Sequence, residues 1–436
     1  MDPDRRRVQR WFYWGLALSL LLLLAGWWAG SAHTLAIPGG RLIALSRLFG
    51  LLATYTILLE ILLVSRIPFI EEHFDLHETV DLHRWNGYGI LVSIVAHTVF
   101  VVLGYAAPGH TGLWHMFVLI NTQYEDVLIA TIGTLIFLAA TALSINIARK
   151  KLPHEWWWLS HLTLYGAIIL VTPHQLKTGG DFIGHFWYTA YWYMWYIGVF
   201  GLLAYYRFVR PLWYMLRYQF RVERVVQEAK DIYSVYVSGR DLDMFAFRPG
   251  QYATWWILSP GMWWQGHPFS FSSPPGAQQL RFTVKVVGDY SRQLRQLRPG
   301  VRIAIDGPRG SFTASRAYGA NNVVLVAGGI GVAPYLSTIR SLMAAGKQVT
   351  LLYAARAKQD VSFVRELSAL QRQGLRVEVY LQDDGRIIDG DVLLNHLSEL
   401  TVVYLCGPDG MSRALTRTLR GLGLPKWAIV TERFAY

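Results

Sequence analysis

The sequence predicts a multi-domain membrane protein: a six-helix transmembrane bundle over residues 1–210, an antiparallel β-barrel over 211–318 and an α/β nucleotide-binding domain over 319–436. Three observations predict it. Six apolar stretches in the first half are long enough, or nearly so, to cross ~30 Å of hydrocarbon at ~1.5 Å per residue. Composition then changes near residue 210. The first part holds twelve of the eighteen tryptophans and fourteen Lys/Arg against twelve Asp/Glu, whereas the remainder holds twenty-seven Lys/Arg against seventeen Asp/Glu. Finally, NNVVLVAGGIGVAPYLSTIRSLMAAGKQVTLLYAAR reads as strand, glycine turn, helix and strand, the unit of a parallel sheet.

The apolar stretches are 11–30, 43–65, 84–104, 127–147, 158–175 and 187–207. The first follows Arg5, Arg6 and Arg7 as a signal peptide would, but its apolar run exceeds a typical signal core, so it counts as a membrane helix. One set of loops carries Arg5, Arg6, Arg7, Arg10, Arg66, Arg149, Lys150, Lys151, Arg207 and Arg210; the other carries Arg41 and Lys177. Positive-inside then places both termini, and the second half with them, in the cytoplasm.

Two pairs of histidines lie in these spans at nearly equal spacing. His83 and His97 are fourteen residues apart, His161 and His174 thirteen. Along a helix these are ~21 and ~20 Å. A single histidine in a helix is commonly a satisfied core residue, but ionisable residues in spans default to functional candidates. Imidazole is a good axial ligand for haem iron. Two helices, each with a high and a low histidine, could clamp two stacked haems: His83 with His161 near the inner face, His97 with His174 near the outer. Fourteen residues return to within ~40° of the starting face, whereas thirteen leave His174 ~140° from His161. Pro173 is expected to unwind that turn.

The one cysteine, Cys406, excludes intrachain disulfides, cysteine-ligated iron–sulfur clusters and covalent haem attachment through C-x-x-C-H. The net charge of +12 favours anionic headgroups and phosphorylated cofactors. No nucleic-acid-binding motif accompanies it, so no nucleic acid is expected as a partner.

In the second half, RVERVVQ, DIYSVYVSG and RFTVKVV alternate as short strands of a small barrel. HPFSFSS holds His267, Pro268, Phe269, Ser270 and Ser273. Its aromatic could flank a flavin and its hydroxyls bond the ring or chain; equally, it reads as a barrel strand ending in a turn. VVGDYSRQL places Gly288 and Ser291 at the entry to a helix, a seat for pyrophosphate. IDGPRGSF, Asp306 to Phe312, reads as a turn between strands. GGIGVAP offers Gly328, Gly329 and Gly331 after a buried-type strand, with a helix N-terminus aimed at a phosphate. VVYLCGPDGM places Cys406, Gly407 and Pro408 after the last long strand.

In this order the segments resemble the ferredoxin–NADP reductase family over about 215–436, and the first half resembles the ferric reductase-like transmembrane domain. The complete chain resembles a bacterial member of the NADPH oxidase and ferric reductase superfamily, held in the lipid bilayer of the inner membrane. The resemblance implies FAD, two haem b and NADPH, with NADH also used. It places Phe269 and Ser270 at the flavin ring, with Pro268 and Ser273 beside them, and His267 at the flavin chain or phosphate. Gly288 and Ser291 would hold pyrophosphate; Gly328, Gly329, Gly331 and Pro334 would form the dinucleotide turn. Gly407 and Pro408 belong to the nicotinamide motif and Cys406 would lie near the nicotinamide. Phe434 of ERFAY, or its neighbour Tyr436, would cover the flavin. Calcium-binding loops and a docking extension are absent, so no activator subunits are expected.

Arg47 and Arg66 resemble arginines of the eukaryotic oxidases, where haem propionates would be their partners; the alternative is snorkelling to headgroups. If Arg47 faces a small pocket beside the outer haem, its charge would stabilise superoxide. A hydride donor gives two electrons and a haem accepts one, so a flavin has to lie between them. Three readings compete. They are an oxidase reducing O₂ to superoxide, a ferric or cupric reductase on the same electron path, and a transporter with a nucleotide-sensing domain. The last leaves the four histidines unexplained; the first is the leading expectation.

The strand VTLLYAAR ends at Arg356, followed by Lys358, where an acidic residue would favour a ribose diol. A cation suits the extra phosphate of NADPH, tempered by Asp360. Arg356→Ala should therefore raise the Michaelis constant for NADPH more than that for NADH. An unchanged ratio would assign Arg356 to the solvated surface.

Overall fold

Leucine and alanine, both good helix formers, dominate the first half, and its described residues are helical almost throughout. The computed structural model describes residues 3–74, 76–124, 126–145, 154–178 and 185–433. They form two compact units: Arg10–Ser65 with His77–Leu203, and Met1–Gln9 with Arg66–Leu76 and Ala204–Tyr436.

The first half contains α1 (Pro3–Ser31), α2 (Gly40–Val64), α3 (Pro68–His73), α4 (Leu76–Ala106), α5 (Leu113–Gln123), α6 (Val127–Ser144), α7 (His154–Thr178) and α8 (Phe186–Ala204). Four of the described helices are long and apolar enough to cross a membrane: α1, α2, α4 and α6. The expected fifth and sixth spans form as α7 and α8 but do not reach that apolarity. In α7 the cause is His161, His174, Gln175 and Lys177; in α8 it is Tyr188, Tyr191, Tyr193 and Tyr196 among tryptophans, whose polar tips offset their rings. The interior of this unit gathers Leu23, Leu51, Tyr55, Leu58, Ile61, Trp192 and Val199. A β-carbon at Gly133 would sit 2.9 Å from Leu170 and 3.0 Å from the Ala167 carbonyl, so glycine lets α6 and α7 approach closely.

The second unit continues through α9 (Arg210–Tyr218) into β1 (Arg221–Ala229), β2 (Ile232–Ser238), β3 (Tyr252–Ile257), β4 (Gly266–Ser270), β5 (Leu280–Lys285), α10 (Asp289–Leu294) and β6 (Ile303–Arg309). The expected closed barrel is not formed. There are instead two three-stranded antiparallel sheets, β1-β2-β5 and β4-β3-β6, linked by single bridges at Arg221–Arg302 and Phe271–Phe282. Pro268, which has no N–H, stands in β4, an edge strand of its sheet, where proline is tolerated. Trp255, Phe271, Phe282 and Phe245 fill the space between the sheets.

The rest is a parallel sheet of β7 (Asn322–Gly328), β8 (Gln348–Ala355), β9 (Arg376–Leu381), β10 (Thr401–Gly407) and β11 (Ile429–Arg433), ordered β11-β10-β7-β8-β9. Helices α11 (Ala333–Ala344), α12 (Val364–Gln371), α13 (Gly390–Leu394) and α14 (Asp409–Gly421) connect the strands. β7 and β10 are buried almost along their whole length, as parallel strands covered on both faces must be. Arg281 of β5 is buried and donates to both carboxylate oxygens of Glu366 on α12, tying the antiparallel sheets to the parallel one.

The segment IDGPR is not a turn: it belongs to β6 and pairs with β3. That places Asp306, 1% exposed, among three arginines. Arg66 donates to its Oδ2, while Arg210 and Arg309 approach it at 3.5 Å. Glu71 of α3 lies 3.9 Å from Arg309. Burial draws the Arg66 guanidinium down to about 10, with Arg309 adding to the effect, and pushes the Glu71 carboxyl up to about 7. Asp306→Ala would leave three guanidiniums facing each other without their common counter-ion. Breaking a buried pair typically costs ~3–5 kcal/mol. We expect a marked fall in the melting temperature of this unit, and Asp306→Ala melting with the unmodified protein would remove Asp306 from this role.

Candidate cofactor sites

Helices α4 and α7 carry the four histidines at matching levels. The His83 and His161 rings have centroids 6.1 Å apart, and those of His97 and His174 are 6.2 Å apart. An imidazole nitrogen binds a metal at ~2 Å and lies ~1 Å from its ring centre, so two rings across one metal have centroids ~6 Å apart. Both pairs fit that requirement. Helix α7 runs unbroken through Pro173, so the facing of His174 is reached without the expected unwinding.

Each ring engages its Nδ1 with a protein atom. His83 Nδ1 lies 2.7 Å from Glu60 Oε1, and His161 Nδ1 3.1 Å from Ser144 Oγ. His97 Nδ1 lies 2.9 Å from the Ser46 carbonyl, and His174 Nδ1 meets the Val171 carbonyl. A metal-ligating histidine almost always spends its other ring nitrogen in this way, which fixes tautomer and ring plane. Glu60, Ser46 and Ser144 were not anticipated from the sequence. The one available signal was Glu60, the sole acid in the run from Gly40 to Val64. Gly50 was also unmarked; a β-carbon there would sit 2.9 Å from His97 Nδ1. Groups of three or more His, Cys, Asp or Glu able to hold a metal ion are absent among the described residues, so any metal here rests on paired imidazoles.

A cavity of about 440 Å³ opens between the helices and is lined by His97, His174, Arg47, Tyr105, Asn121 and Gln175, among others. Arg47 is held there by Thr34 Oγ1 at 3.1 Å and the Gly30 carbonyl at 3.5 Å. Arg66 differs from expectation: its counter-ion is the protein's own Asp306, which removes the need for a cofactor carboxylate.

In the parallel sheet, successive crossovers run from β7 to β8 to β9 on one side, and the chain then returns to β10 on the other. The β7/β10 boundary is thus the switch point, where open α/β sheets bind ligands beyond the strand carboxyl ends. Both glycine motifs end there. A β-carbon on Gly331 would meet the Cys406 carbonyl at 2.0 Å, and one on Gly407 would meet the Gly328 Cα at 2.9 Å. Only glycine lets the two turns pack backbone on backbone. Gly329 adopts φ +55, and Pro334 occupies the first turn of α11, where its missing N–H costs nothing. Pro408 packs within 2.8 Å of where a Gly328 β-carbon would stand. Cys406 is fully buried, and burial holds its thiol well above the ordinary range. It contributes its carbonyl to the turn, not a thiolate.

Strand β4 separates the flavin candidates by alternation. His267 and Phe269 share one face; His267 packs against Tyr290 at 3.8 Å with the rings tilted by 32°, and Phe269 stacks on Phe282 at 5.1 Å. Pro268 is exposed, while Ser270 is buried on the opposite face. Burial lowers the His267 pKa, so the ring is neutral at pH 7. The Ser273 hydroxyl accepts from the Arg281 N–H at 3.1 Å. The Ser291 hydroxyl accepts from the N–H of Val287 and of Gly288, at 2.9 and 3.0 Å, and donates to the Gly288 carbonyl. Its proton and both acceptor positions are thereby engaged in shaping the turn. Tyr290, unmarked in the sequence, joins the cluster. Arg356 stands exposed at the end of β8, 4.0 Å from Asp383, and Asp360 accepts from the Ala357 N–H at 3.1 Å. Phe434 and Tyr436 lie outside the described residues.

Residues 49–172 match the ferric reductase like transmembrane component, 217–313 an FAD-binding domain and 325–417 an oxidoreductase NAD-binding domain. The chain thus joins a ferric reductase-like transmembrane domain to FAD-binding and NAD-binding domains, matching the NADPH oxidase and ferric reductase-like fusion. It is a membrane oxidoreductase carrying FAD-binding and NAD-binding domains. Among relatives of this ferric reductase-like protein, the probable dihydroorotate dehydrogenase B (NAD(+)) electron transfer subunit of Methanocaldococcus jannaschii is 26% identical over 47% of this chain and 74% of its own. Flavohemoprotein A of Dictyostelium discoideum is 30% identical over 50% of this chain and 60% of its own. The crystal structure of Amycolatopsis cytochrome P450 reductase GcoB is 21% identical, covering 49% of this chain and 68% of that one with a TM-score of 0.44.

Gly331→Ala tests the backbone packing at the switch point. Its β-carbon has to displace the β10 main chain, an overpacking that typically costs ~1–3 kcal/mol. We expect a lower melting temperature together with weakened NAD(P)H binding in a fluorescence titration. Unchanged binding would separate the turn from the nucleotide.

Proposed function

We propose that this protein passes electrons from cytoplasmic NAD(P)H, through FAD and two b-type haems, to O₂ at the opposite face, giving superoxide. His83 with His161 would hold the inner haem, and His97 with His174 the outer; α7 and α8 would complete six spans with both termini cytoplasmic. The carrying observation is the two facing imidazole pairs at 6.1 and 6.2 Å, each ring with Nδ1 engaged by the protein. FAD, when bound, would supply the conversion from a hydride pair to single electrons that a two-electron donor and one-electron haem carriers require. The balance is one NAD(P)H and two O₂ giving two superoxide, NAD(P)⁺ and one proton.

The protein's own part is positional. The glycine turns after β7 and β10 bring main chain to the nucleotide. His267, on the strand assigned to flavin, and Tyr290 present two packed rings. O₂ as acceptor is supported by Arg47, whose guanidinium is fixed on the wall of the cavity shared with His97 and His174. A preorganised cation beside a forming anion lowers its energy without reorganisation.

Reconstituted into liposomes with NADPH, the protein should give dismutase-sensitive dye reduction exceeding anaerobic reduction of a ferric chelate. His97→Leu or His174→Leu should lower haem content and abolish both activities while flavin reduction by NAD(P)H persists. Full haem content with full turnover would sink the assignment. Arg47→Ala should slow O₂ reduction more than ferric reduction, and equal loss would return Arg47 to a structural role.

A further inference from the structure

Helix α9 has two faces of different kind, and the protein packs on one of them. Tyr205–Val209 forms a π-helical turn whose flanking residues Ala204 and Arg210 keep helical backbone, so the turn leads directly into α9. At ~100° per residue, Arg210, Tyr214 and Tyr218 fall within an arc of ~80°. That arc packs inward. Arg210 lies 3.5 Å from Asp306, and the Tyr214 and Tyr218 rings meet Phe245 with centroids 5.4 and 5.2 Å apart. Val209, Leu212, Trp213 and Leu216 fall in a second arc of ~100°, centred ~150° from the first. With Phe208 they form an apolar stripe, every member of which the described residues leave more than half exposed.

Single exposed apolar residues are ordinary, but a contiguous stripe at helical spacing, opposite a packed face, marks an interaction surface. Three features select lipid as what covers it. The stripe follows directly on the apolar run 187–207, which at ~1.5 Å per residue already crosses ~30 Å of hydrocarbon. From Ala204 to Gln219 there is no acidic residue to repel anionic headgroups, and Arg217 stands exposed at the edge of the stripe, beside Asp241. Tyr205, Tyr206, Trp213 and Tyr214 are of the type that settles at headgroup level.

We infer that α9 lies in the headgroup region of the bilayer with Phe208, Val209, Leu212, Trp213 and Leu216 facing lipid, and so seats the two antiparallel sheets at the membrane surface. The inference goes beyond the electron path and rests only on the reading of α8 as a span. A straight continuation of that span would carry Leu216, nine residues past Arg207, ~14 Å out into water. The π-helical turn is where the direction changes, since such turns are sites of helix kinks.

Cysteine labelling tests it, because Cys406 is wholly buried and the unmodified chain supplies the blank. Leu212→Cys and Leu216→Cys, both at exposed positions, would each carry a nitroxide in the full-length protein, held in nanodiscs of phosphatidylcholine and phosphatidylglycerol. Collision with O₂, which concentrates in lipid, should exceed collision with a water-soluble nickel chelate severalfold at both sites. At Tyr318→Cys, likewise exposed but placed before β7, the chelate should dominate. Dominance of the chelate at 212 and 216 overturns the inference. Spin–spin broadening that disappears on dilution with unlabelled protein would assign the stripe to a second copy. An immobile label shielded from both probes would assign it to another part of this chain. Either result also overturns it. Ile197→Cys, in the middle of α8, reads the span separately. Chelate dominance there removes the span itself, whereas lipid at 197 with water at 216 removes only the seat of α9.

Discussion

An imidazole inside an apolar helix has two ring nitrogens to satisfy and no water to satisfy them. In this protein that constraint organises the helical unit. Each of the four histidines turns Nδ1 onto an atom supplied by α2, α6 or its own helix, and so fixes its ring plane toward its opposite number. Fixing the rings in turn sets where small residues must stand. Gly50 leaves room for the His97 ring, and Gly133 lets α6 and α7 close to the distance at which Ser144 reaches His161. Without a hydrophobic drive between helices in lipid, such close contacts and hydrogen bonds are what hold them together.

The second unit obeys the same rule with the main chain in place of imidazole. Where β7 and β10 end, two turns press backbone against backbone, and three glycines are required because a β-carbon on any of them meets an atom within 2.9 Å. Ser291 does for its turn what Ser46 does for His97: a hydroxyl consumes the local polar groups and leaves one shape. The charges follow suit. Asp306 sits among three arginines because each alone would be costly to bury, and Arg281 is affordable inside only with Glu366, the Ser272 carbonyl and the Tyr236 hydroxyl around it.

What was legible in the sequence was whatever has a period. The histidine spacing, the strand–glycine–helix unit and the alternation of the short strands all repeat along the chain and survive into the structure. What was illegible depends on a partner far away in sequence. Glu60 looks like an accident in an apolar run until His83 and Asn86 are brought beside it. IDGPR looks like a turn because glycine and proline are adjacent, yet pairing with β3 overrides that local preference. The barrel was inferred from the alternation of short strands, whereas the strands pair as two three-stranded sheets joined only at single bridges. The last two helices were placed by length, and their tyrosines and tryptophans set them apart from the plainly apolar spans. Ser291 was assigned to a ligand because it stands at a helix entry; its hydrogen bonds show that the entry itself uses the hydroxyl.

The same accounting explains the chain's one cysteine. A protein that handles reducing equivalents next to a reactive thiol risks diverting them, because the thiolate is the species that attacks and is oxidised. Cys406 is at the C-terminal end of β10, beside the turn that the nucleotide motif occupies, but its side chain is wholly inside the sheet's core. Burial raises its pKa, and the nearby charge of Glu432 raises it further, so the neutral thiol is the stable form at physiological pH. Its carbonyl, by contrast, lies where a β-carbon on Gly331 would collide with it. The residue therefore offers the turn a small, apolar side chain and a fixed backbone, and the sulfur's redox chemistry is kept out of the site.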